Sequence, residues 1–335
     1  MGTKILVKED MRNEEFDSPE RRALVELLGQ RAEVEWYAGE LTADDGEDAI
    51  AVIASAGLIH PEFYDSAQNL RIIARYGVGF EKVNIDIATE RGVLVTVAAE
   101  HVTTVAEYTI AQWMSTLKRL HTLNLNSHSG DFRIIRNYEA RGSTLGLYGF
   151  GRIGQHVARM ASPLLGDVGR LLVYDIRPDI AVLAAAYGAE AVEDPETLFR
   201  ESDTVSLHVA GGDTIVDYER LCLMKPHATL LNPSRANLVD DGAALRALNE
   251  GRLFYYVLDD PVQGPREIFK DHPRAICTNH SAGIAVQSVN RLDGYCVNQV
   301  IDALEGREPE SVLNTEVLEH PRVKEFLRSP SPPGS

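Results

Sequence analysis

Residues 144–160 read TLGLYGFGRIGQHVARM. Residues 145–148 have the apolar character of a buried strand, and Ile153, Val157 and Met160 recur behind them at helical spacing. Between the two stand Gly149, Gly151 and Gly154. A glycine-rich turn alone is weak evidence; a strand before it and a helix after it make it a dinucleotide fingerprint. In that frame Gly149 permits the tight turn, Gly151 admits the backbone to a pyrophosphate, and Gly154 lets the helix press on the strand. The helix opens at Arg152 and Ile153, where free N–H groups and a partial positive charge suit the phosphates. The next strand candidate, 171–174, runs into Asp175, 21 residues after Gly154. A carboxylate there accepts hydrogen bonds from ribose hydroxyls and repels a 2′-phosphate, so the expected cofactor is NAD rather than NADP. Arg177 either softens that preference or is simply solvated.

Working outward, the segments upstream alternate short apolar runs with amphipathic ones. Strand candidates lie at 4–7, 34–37, 49–54, 71–74 and 93–95, with helical patterns such as 19–28 and 61–66 between them. This alternation predicts a parallel α/β unit. Residues 103–123 show a long helical pattern, with Val105, Tyr108, Ile110, Trp113, Met114 and Leu117 at threes and fours, and the polar stretch 124–130 reads as a loop. A second α/β series runs from 144 to about 282, and a last long helix spans roughly 285–304. The prediction is an α/β protein of two Rossmann-like domains with parallel sheets, joined by two long interdomain helices. The first domain is discontinuous, 1–100 plus 284–335, and the nucleotide domain is 101–283. The Pro- and Ser-rich tail from Arg328 is expected to be disordered. Gly77-Val78-Gly79 also follows a strand but lacks a third glycine, so no second nucleotide site is read there.

Composition narrows the partners. The 335 residues carry 33 basic and 50 acidic side chains, a net charge of -17. That field disfavours nucleic acid and anionic membranes, so no partner of either kind is expected; a small anion needs local donors. Three cysteines without a CxxC pair give neither a zinc nor a thioredoxin-like site and read as reduced thiols. The cluster Asp44, Asp45, Glu47 and Asp48 has no His or Cys beside it and reads as a solvated loop, so no metal is expected. The N-terminal segment lacks the apolar core of a signal peptide and no run reaches a membrane span, which makes the expected compartment cytoplasmic.

Several further segments, in order, resemble the D-isomer-specific 2-hydroxyacid dehydrogenase family. They are RYGVGFEKVNIDIATERGVLVTV (75–97), VAEYTIA (105–111), SDTVSLHV (202–209), MKPHATLLNPSRANLVDDGAALRAL (224–248) and TNHSAG (278–283). The resemblance covers about 50–305 and implies NAD-dependent interconversion of a 2-oxo acid and a D-2-hydroxy acid. It makes the discontinuous domain the substrate domain. It implies that Arg235 binds and polarises the substrate, the planar fork of an arginine suiting a carboxylate, and that His280 exchanges the proton. Val78 and Gly79 would offer backbone N–H groups to the small anionic substrate. Asp259 and the turn from Asn232 to Ser234 match positions that hold the nicotinamide carboxamide, and His208 belongs to the cofactor set. The resemblance further implies a homodimer formed through the nucleotide domain, with 120–141 as a contact arm.

The chain departs from the family pattern at telling places. A glutamate normally lies five residues beyond the aspartate matched by Asp259 and bonds the histidine; here that position is Gly264. Gln263 is one residue early and Glu267 three late, and either is a candidate substitute. Without a carboxylate, reduction at neutral pH should be slower or its optimum shifted toward acid. His101 stands where asparagine is frequent, as a second titratable group facing substrate or as a helix-entry residue. Ala236, Asn279 and the Ala210-Gly211-Gly212 turn replace a glycine, a proline and a proline-containing turn. Two other readings stay open: hydride abstraction from a non-carbinol donor such as formate or an oxidised phosphorus acid, and a non-catalytic NAD-binding scaffold or sensor.

Overall fold

The computed structural model describes residues 2–12, 18–55 and 57–328. Ala56, and the tail beyond Arg328 for which disorder is expected, lie outside the described residues. The chain divides into two compact units, 1–101 with 285–335, and 102–284.

The first unit runs β1 (Lys4–Lys8), α1 (Pro19–Gly29), β2 (Glu33–Tyr37), β3 (Ala49–Ala54), α2 (Pro61–Ser66), β4 (Ile72–Arg75), α3 (Ile85–Glu90) and β5 (Leu94–Val97). All strands are parallel, in the order β2-β1-β3-β4-β5. A parallel sheet is covered on both faces, which is why its strands read as near-continuous apolar runs. Ile5 and Val7 point to one core, while Leu6 between them points to another that holds Phe63 and Tyr64. Helix starts are fixed locally: Ser18 Oγ accepts from Arg21 N at 3.1 Å and Asn84 Oδ1 from Ile87 N at 3.0 Å.

The second unit opens with α4 (Val102–Leu117) and α5 (Leu120–His128). Here the structure corrects the expectation of one helix over 103–123 followed by a loop. The chain breaks at Arg119, which takes φ 56°, its guanidinium 5.2 Å from the Phe254 ring centre. Helix then resumes through His128. None of the α5 residues is buried, so no apolar face announced it.

Beyond them come β6 (Thr144–Tyr148), α6 (Arg152–Leu165), β7 (Arg170–Tyr174), α7 (Ile180–Ala185), β8 (Glu190–Ala191), α8 (Pro195–Glu201), β9 (Thr204–Leu207), α9 (Tyr218–Leu223), β10 (Thr229–Asn232), α10 (Asp241–Asn249), β11 (Tyr255–Leu258) and β12 (Ala275–Cys277). The seven strands are parallel in the order β12-β11-β10-β9-β6-β7-β8. Direction of winding reverses between β6 and β9, the switch point at which such sheets bind ligands. Leu145 and Leu147 pack with Trp113 and Val157, and Val205 and Leu207 with Phe199 and Leu248.

The chain returns to the first unit as α11 (Val286–Leu304) and ends in α12 (Pro321–Arg328). Leu292, Cys296, Val297 and Val300 of α11 join the core of Ile5 and Val7. Arg21 Nε and Asp293 Oδ2, 2.8 Å apart and 5% and 0% exposed, tie α1 to α11 inside it. Among the described residues no helix is long and apolar enough to cross a membrane, and no cluster of His, Cys, Asp or Glu is placed to hold a metal.

Candidate active site

The nucleotide turn leaves β6 at its carboxyl end. Gly149 takes φ 97°, and a Cβ there would stand 2.5 Å from the His208 carbonyl oxygen. A Cβ on Gly154 would stand 2.4 Å from Gly149 O, whereas one on Gly151 would meet nothing within 4 Å. Two glycines are thus required by close packing, and the third faces open space at the start of α6, beside Arg152 and Ile153. That cradle fits a pyrophosphate. Asp175, just past β7, accepts from Phe150 N at 2.6 Å and from Arg177 N at 3.0 Å. The Arg177 guanidinium turns away to Asp179, 2.5 Å from its Oδ1.

His208 follows β9 beside this turn. Both ring nitrogens are shielded from solvent, and neither has a hydrogen-bond partner among the described residues. Burial pushes its pKa down to about 3, so the ring is neutral.

Past β10, the Arg235 turn is built by its neighbours. Asn232 Nδ2 donates to Arg235 O at 2.8 Å, Asn232 Oδ1 accepts from Ser234 N at 3.2 Å, and Ser234 Oγ donates to Leu207 O at 2.7 Å. Arg235 itself is half-buried and donates from Nη1 to Ser234 O. A Cβ on Gly211 would lie 3.1 Å from Arg235 Cγ. The Ala210-Gly211-Gly212 turn therefore clears a place for the arginine stem.

His280 lies three residues past β12, exposed and at φ 56°. A non-glycine residue in the left-handed region must be held there by its surroundings. Asp259, 5% exposed, does this: Oδ1 accepts from Ser281 N at 2.8 Å and from Thr278 Oγ1 at 2.6 Å, and Oδ2 from Ala282 N at 2.7 Å. Since the Thr278 hydroxyl donates to that carboxylate, Tyr108 donates to Thr278 Oγ1 at 2.6 Å, and Gln112 Nε2 donates in turn to the Tyr108 oxygen at 3.3 Å. Burial raises the Tyr108 pKa. The histidine turn is thereby tied to α4. Sequence reasoning placed Tyr108 on an apolar helix face and missed this role; the one available signal was a hydroxyl among aliphatic neighbours.

His280 makes no hydrogen bond among the described residues, and neither Gln263 nor Glu267, both exposed, reaches it. Gly264 takes φ 56°, and a Cβ there would meet nothing within 4 Å. The position expected to carry an acid is an open gap.

The remaining residues read from the sequence belong to the first unit. Gly77, at φ 115°, opens the loop after β4, and its carbonyl accepts from Ala98 N at 3.1 Å, which fixes the loop against the chain leaving β5. Val78 and Gly79 are half-buried, and His101 Cε1 would be 3.9 Å from a Cβ on Gly77. The structure brings Val78, Gly79 and His101 to one sheet edge. Arg235, Asp259, His280 and the nucleotide turn share the carboxyl edge of the other sheet.

Comparison with known proteins gives the family and the fold. Residues 110–282 match the model of the D-isomer specific 2-hydroxyacid dehydrogenase NAD binding domain. A glyoxylate reductase of Thermofilum pendens is 32% identical over 275 residues, 78% of this chain and 79% of that one. A D-3-phosphoglycerate dehydrogenase of Methanocaldococcus jannaschii is 29% identical over 87% of this chain and 57% of its own length. A solved Thermus thermophilus protein superposes with a TM-score of 0.80 at 28% identity, over 93% of this chain and 100% of that one. The apo D-lactate dehydrogenase of Escherichia coli shares the fold, with a TM-score of 0.78 at 23% identity over 93% of this chain.

Proposed function

The chain belongs to the D-isomer specific 2-hydroxyacid dehydrogenase family, a class of NAD-dependent oxidoreductases, and we propose that it reduces a 2-oxo acid to the D-2-hydroxy acid with Arg235 and His280. The observation that carries this reading is the Asp259 carboxylate gripping Ser281 N and Ala282 N. It sets the His280 turn at the same sheet edge as the Arg235 turn, one strand away on either side of β11.

When bound, NAD supplies or accepts the hydride. Gly149, Gly151 and Gly154 with the N-terminus of α6 hold its pyrophosphate, and Asp175 favours it over NADP by meeting the ribose hydroxyls. His208, Asn232 and Asp259 line the nicotinamide end. Arg235 binds the substrate carboxylate and polarises the carbonyl oxygen, where charge develops as the ketone is reduced. His280 gives a proton to that oxygen from a ring N–H and takes it back in the oxidative direction. Val78, Gly79 and His101 lie together at the sheet edge of the first unit. The relatives named glyoxylate reductase support a small 2-oxo acid as the substrate.

One observation favours a second reading. Among the described residues His280 has no carboxylate partner, and hydride abstraction from a non-carbinol donor such as formate needs no proton relay. Loss of NADH absorbance with 2-oxo acids, against gain with formate or phosphite, separates the two. The account expects the former, abolished in His280→Ala; formate oxidation alone would favour the alternative.

We also infer a homodimer through 120–141. Leu120, Leu125, Phe132 and Ile134 are 55%, 60%, 81% and 99% exposed in the single chain, apolar area that a partner copy would cover.

A further inference from the structure

The sheet of the first unit reverses its winding between β1 and β3. The loops leaving those two strands part at their carboxyl ends, and in a sheet of this order the crevice between them is where ligands bind. A cavity of about 500 Å³ lies there, lined by Lys8, Asp10, Arg12, Tyr37, Ser55 and Gly57 among others. Its wall is closely built: a Cβ on Gly57 would stand 1.8 Å from Gly39 O, so the loops after β2 and β3 press on each other.

Lys8 ends β1 with a side chain only 9% exposed, and its Nζ lies 2.8 Å from Asp10 Oδ2 and 4.2 Å from the Tyr76 ring centre. Ser55 Oγ donates to the same oxygen at 2.9 Å. An ammonium and a hydroxyl thus converge on one carboxylate oxygen. The side chain that brings this carboxylate is itself 69% exposed. Such a carboxylate is easily replaced by another, because turning Asp10 into water costs little, whereas the buried ammonium needs an anion wherever it comes from.

We propose that this cavity is a subsite for a second acidic group on the substrate, a carboxylate or a phosphate, which takes the place of Asp10 on Lys8 and Ser55. The inference rests on the 2-oxo acid reading and narrows it to 2-oxo acids with an anionic tail. The 77–79 loop follows β4, which pairs with β3. Neighbouring strands lie about 4.8 Å apart, so the loop and the cavity are one to two strand spacings from each other along a single edge. A four- or five-carbon diacid spans that interval. Once Asp10 turns outward, Lys8 and Arg12 outnumber Glu9 along the lining.

The test compares 2-oxoglutarate with 2-oxopentanoate, which has the same carbon chain without the distal carboxylate. Isothermal titration of the full chain with NAD present gives the ratio of their affinities, and turnover is followed in parallel. A charge-assisted hydrogen bond is worth about tenfold to a hundredfold, so the diacid should bind at least about tenfold more tightly. Lys8→Met should bring the ratio close to one. Asp10→Ala removes the internal competitor and should raise it, an opposite sign that a general loss of structure cannot produce. If Lys8→Met does not fold, Ser55→Ala and Asp10→Ala carry the test. 3-Phosphohydroxypyruvate in the same titration tells a phosphate tail from a carboxylate one. A wild-type ratio near one, or a ratio unmoved in Asp10→Ala and Ser55→Ala, overturns the proposal. A clear ratio without turnover keeps the subsite and discards the reductase reading; turnover of the monoacid with a ratio near one does the reverse.

Discussion

Arg235 leaves a turn held by Asn232 and Ser234, and the proposed function gives its planar fork to the substrate. Arg235→Lys keeps the charge and loses the fork. It should lower kcat/KM for a 2-oxo acid by about 10²–10³-fold, the range for removing one donor to a developing oxyanion, with the melting temperature within a few degrees of wild type. At Gly264 the open space admits a longer side chain, although φ 56° strains any residue but glycine, by about 1–3 kcal/mol. Gly264→Glu should therefore melt earlier and yet extend 2-oxo acid reduction to higher pH, because a carboxylate near His280 favours its protonated form. An unchanged pH profile would show that the new acid does not reach the ring. At His208 the imidazole is neutral in the fold, its pKa near 3, and takes a proton near the ordinary value of about 6.5 once unfolded. Between those values the unfolded chain binds the extra proton, so stability falls as pH drops from 6.5 toward 3 and is untouched above. His208→Gln should remove up to about 3 kcal/mol of the loss seen at pH 4.5, measured as a smaller fall of the urea midpoint between pH 7 and pH 4.5. At this scale the sequence pointed to Arg235 and His280 as candidates because each sits in a motif with a chemical reason. Tyr108 and Lys8 stayed hidden, one as part of a helical face and the other as the end of a strand, since a hydroxyl or ammonium shows its use only when its neighbours are known.

Elements were legible where burial leaves a pattern. The strands of both parallel sheets are buried on two faces and read as apolar runs, and α11 shows its stripe from Leu292 to Leu304. The helix α5 was not legible, because a helix with no buried residue has no stripe to read. The break at Arg119 was equally silent, since its left-handed backbone is set by contacts with Phe254 and the 136 carbonyl rather than by a glycine. Another element-scale feature invisible in sequence is the joint between α1 and α11. Arg21 and Asp293 are inside the core, and burial raises the Asp293 pKa against the pull of Arg21. Removing one partner of such a pair leaves a buried charge and costs about 3–5 kcal/mol, while replacing both by apolar residues is close to neutral. Arg21→Met and Asp293→Leu should each lower the denaturant midpoint strongly, and the double variant should recover most of it. Equal losses that simply add would refute the coupling.

At the scale of the whole molecule, the acidic surface with its net charge of -17 leaves anion binding to local donors, and the proposed anion-binding residues are such donors: Arg235, the 77–79 backbone and Lys8. The exposed apolar arm makes a second prediction. Light scattering should give twice the chain mass, and Phe132→Asp with Ile134→Asp should shift the protein toward monomer while each chain stays folded; an unshifted dimer would place the interface elsewhere. Two parallel α/β units, a strand–glycine turn–helix motif and, with Asp175, an NAD cofactor were readable from residues 144–160 and the apolar runs around them. What the sequence withheld is the way Asp259, Thr278 and Tyr108 hold the histidine turn in a conformation that its own residues do not favour. The central claim, reduction of a 2-oxo acid at Arg235 and His280, is tested most directly by the handedness of the product. Wild type and Arg235→Ala are incubated with NADH and a 2-oxo acid at equal concentration, and the 2-hydroxy acid formed is resolved by chiral chromatography. The account predicts the D-isomer alone from wild type and none from the variant; an L or racemic product, or product formed equally well by Arg235→Ala, would contradict it.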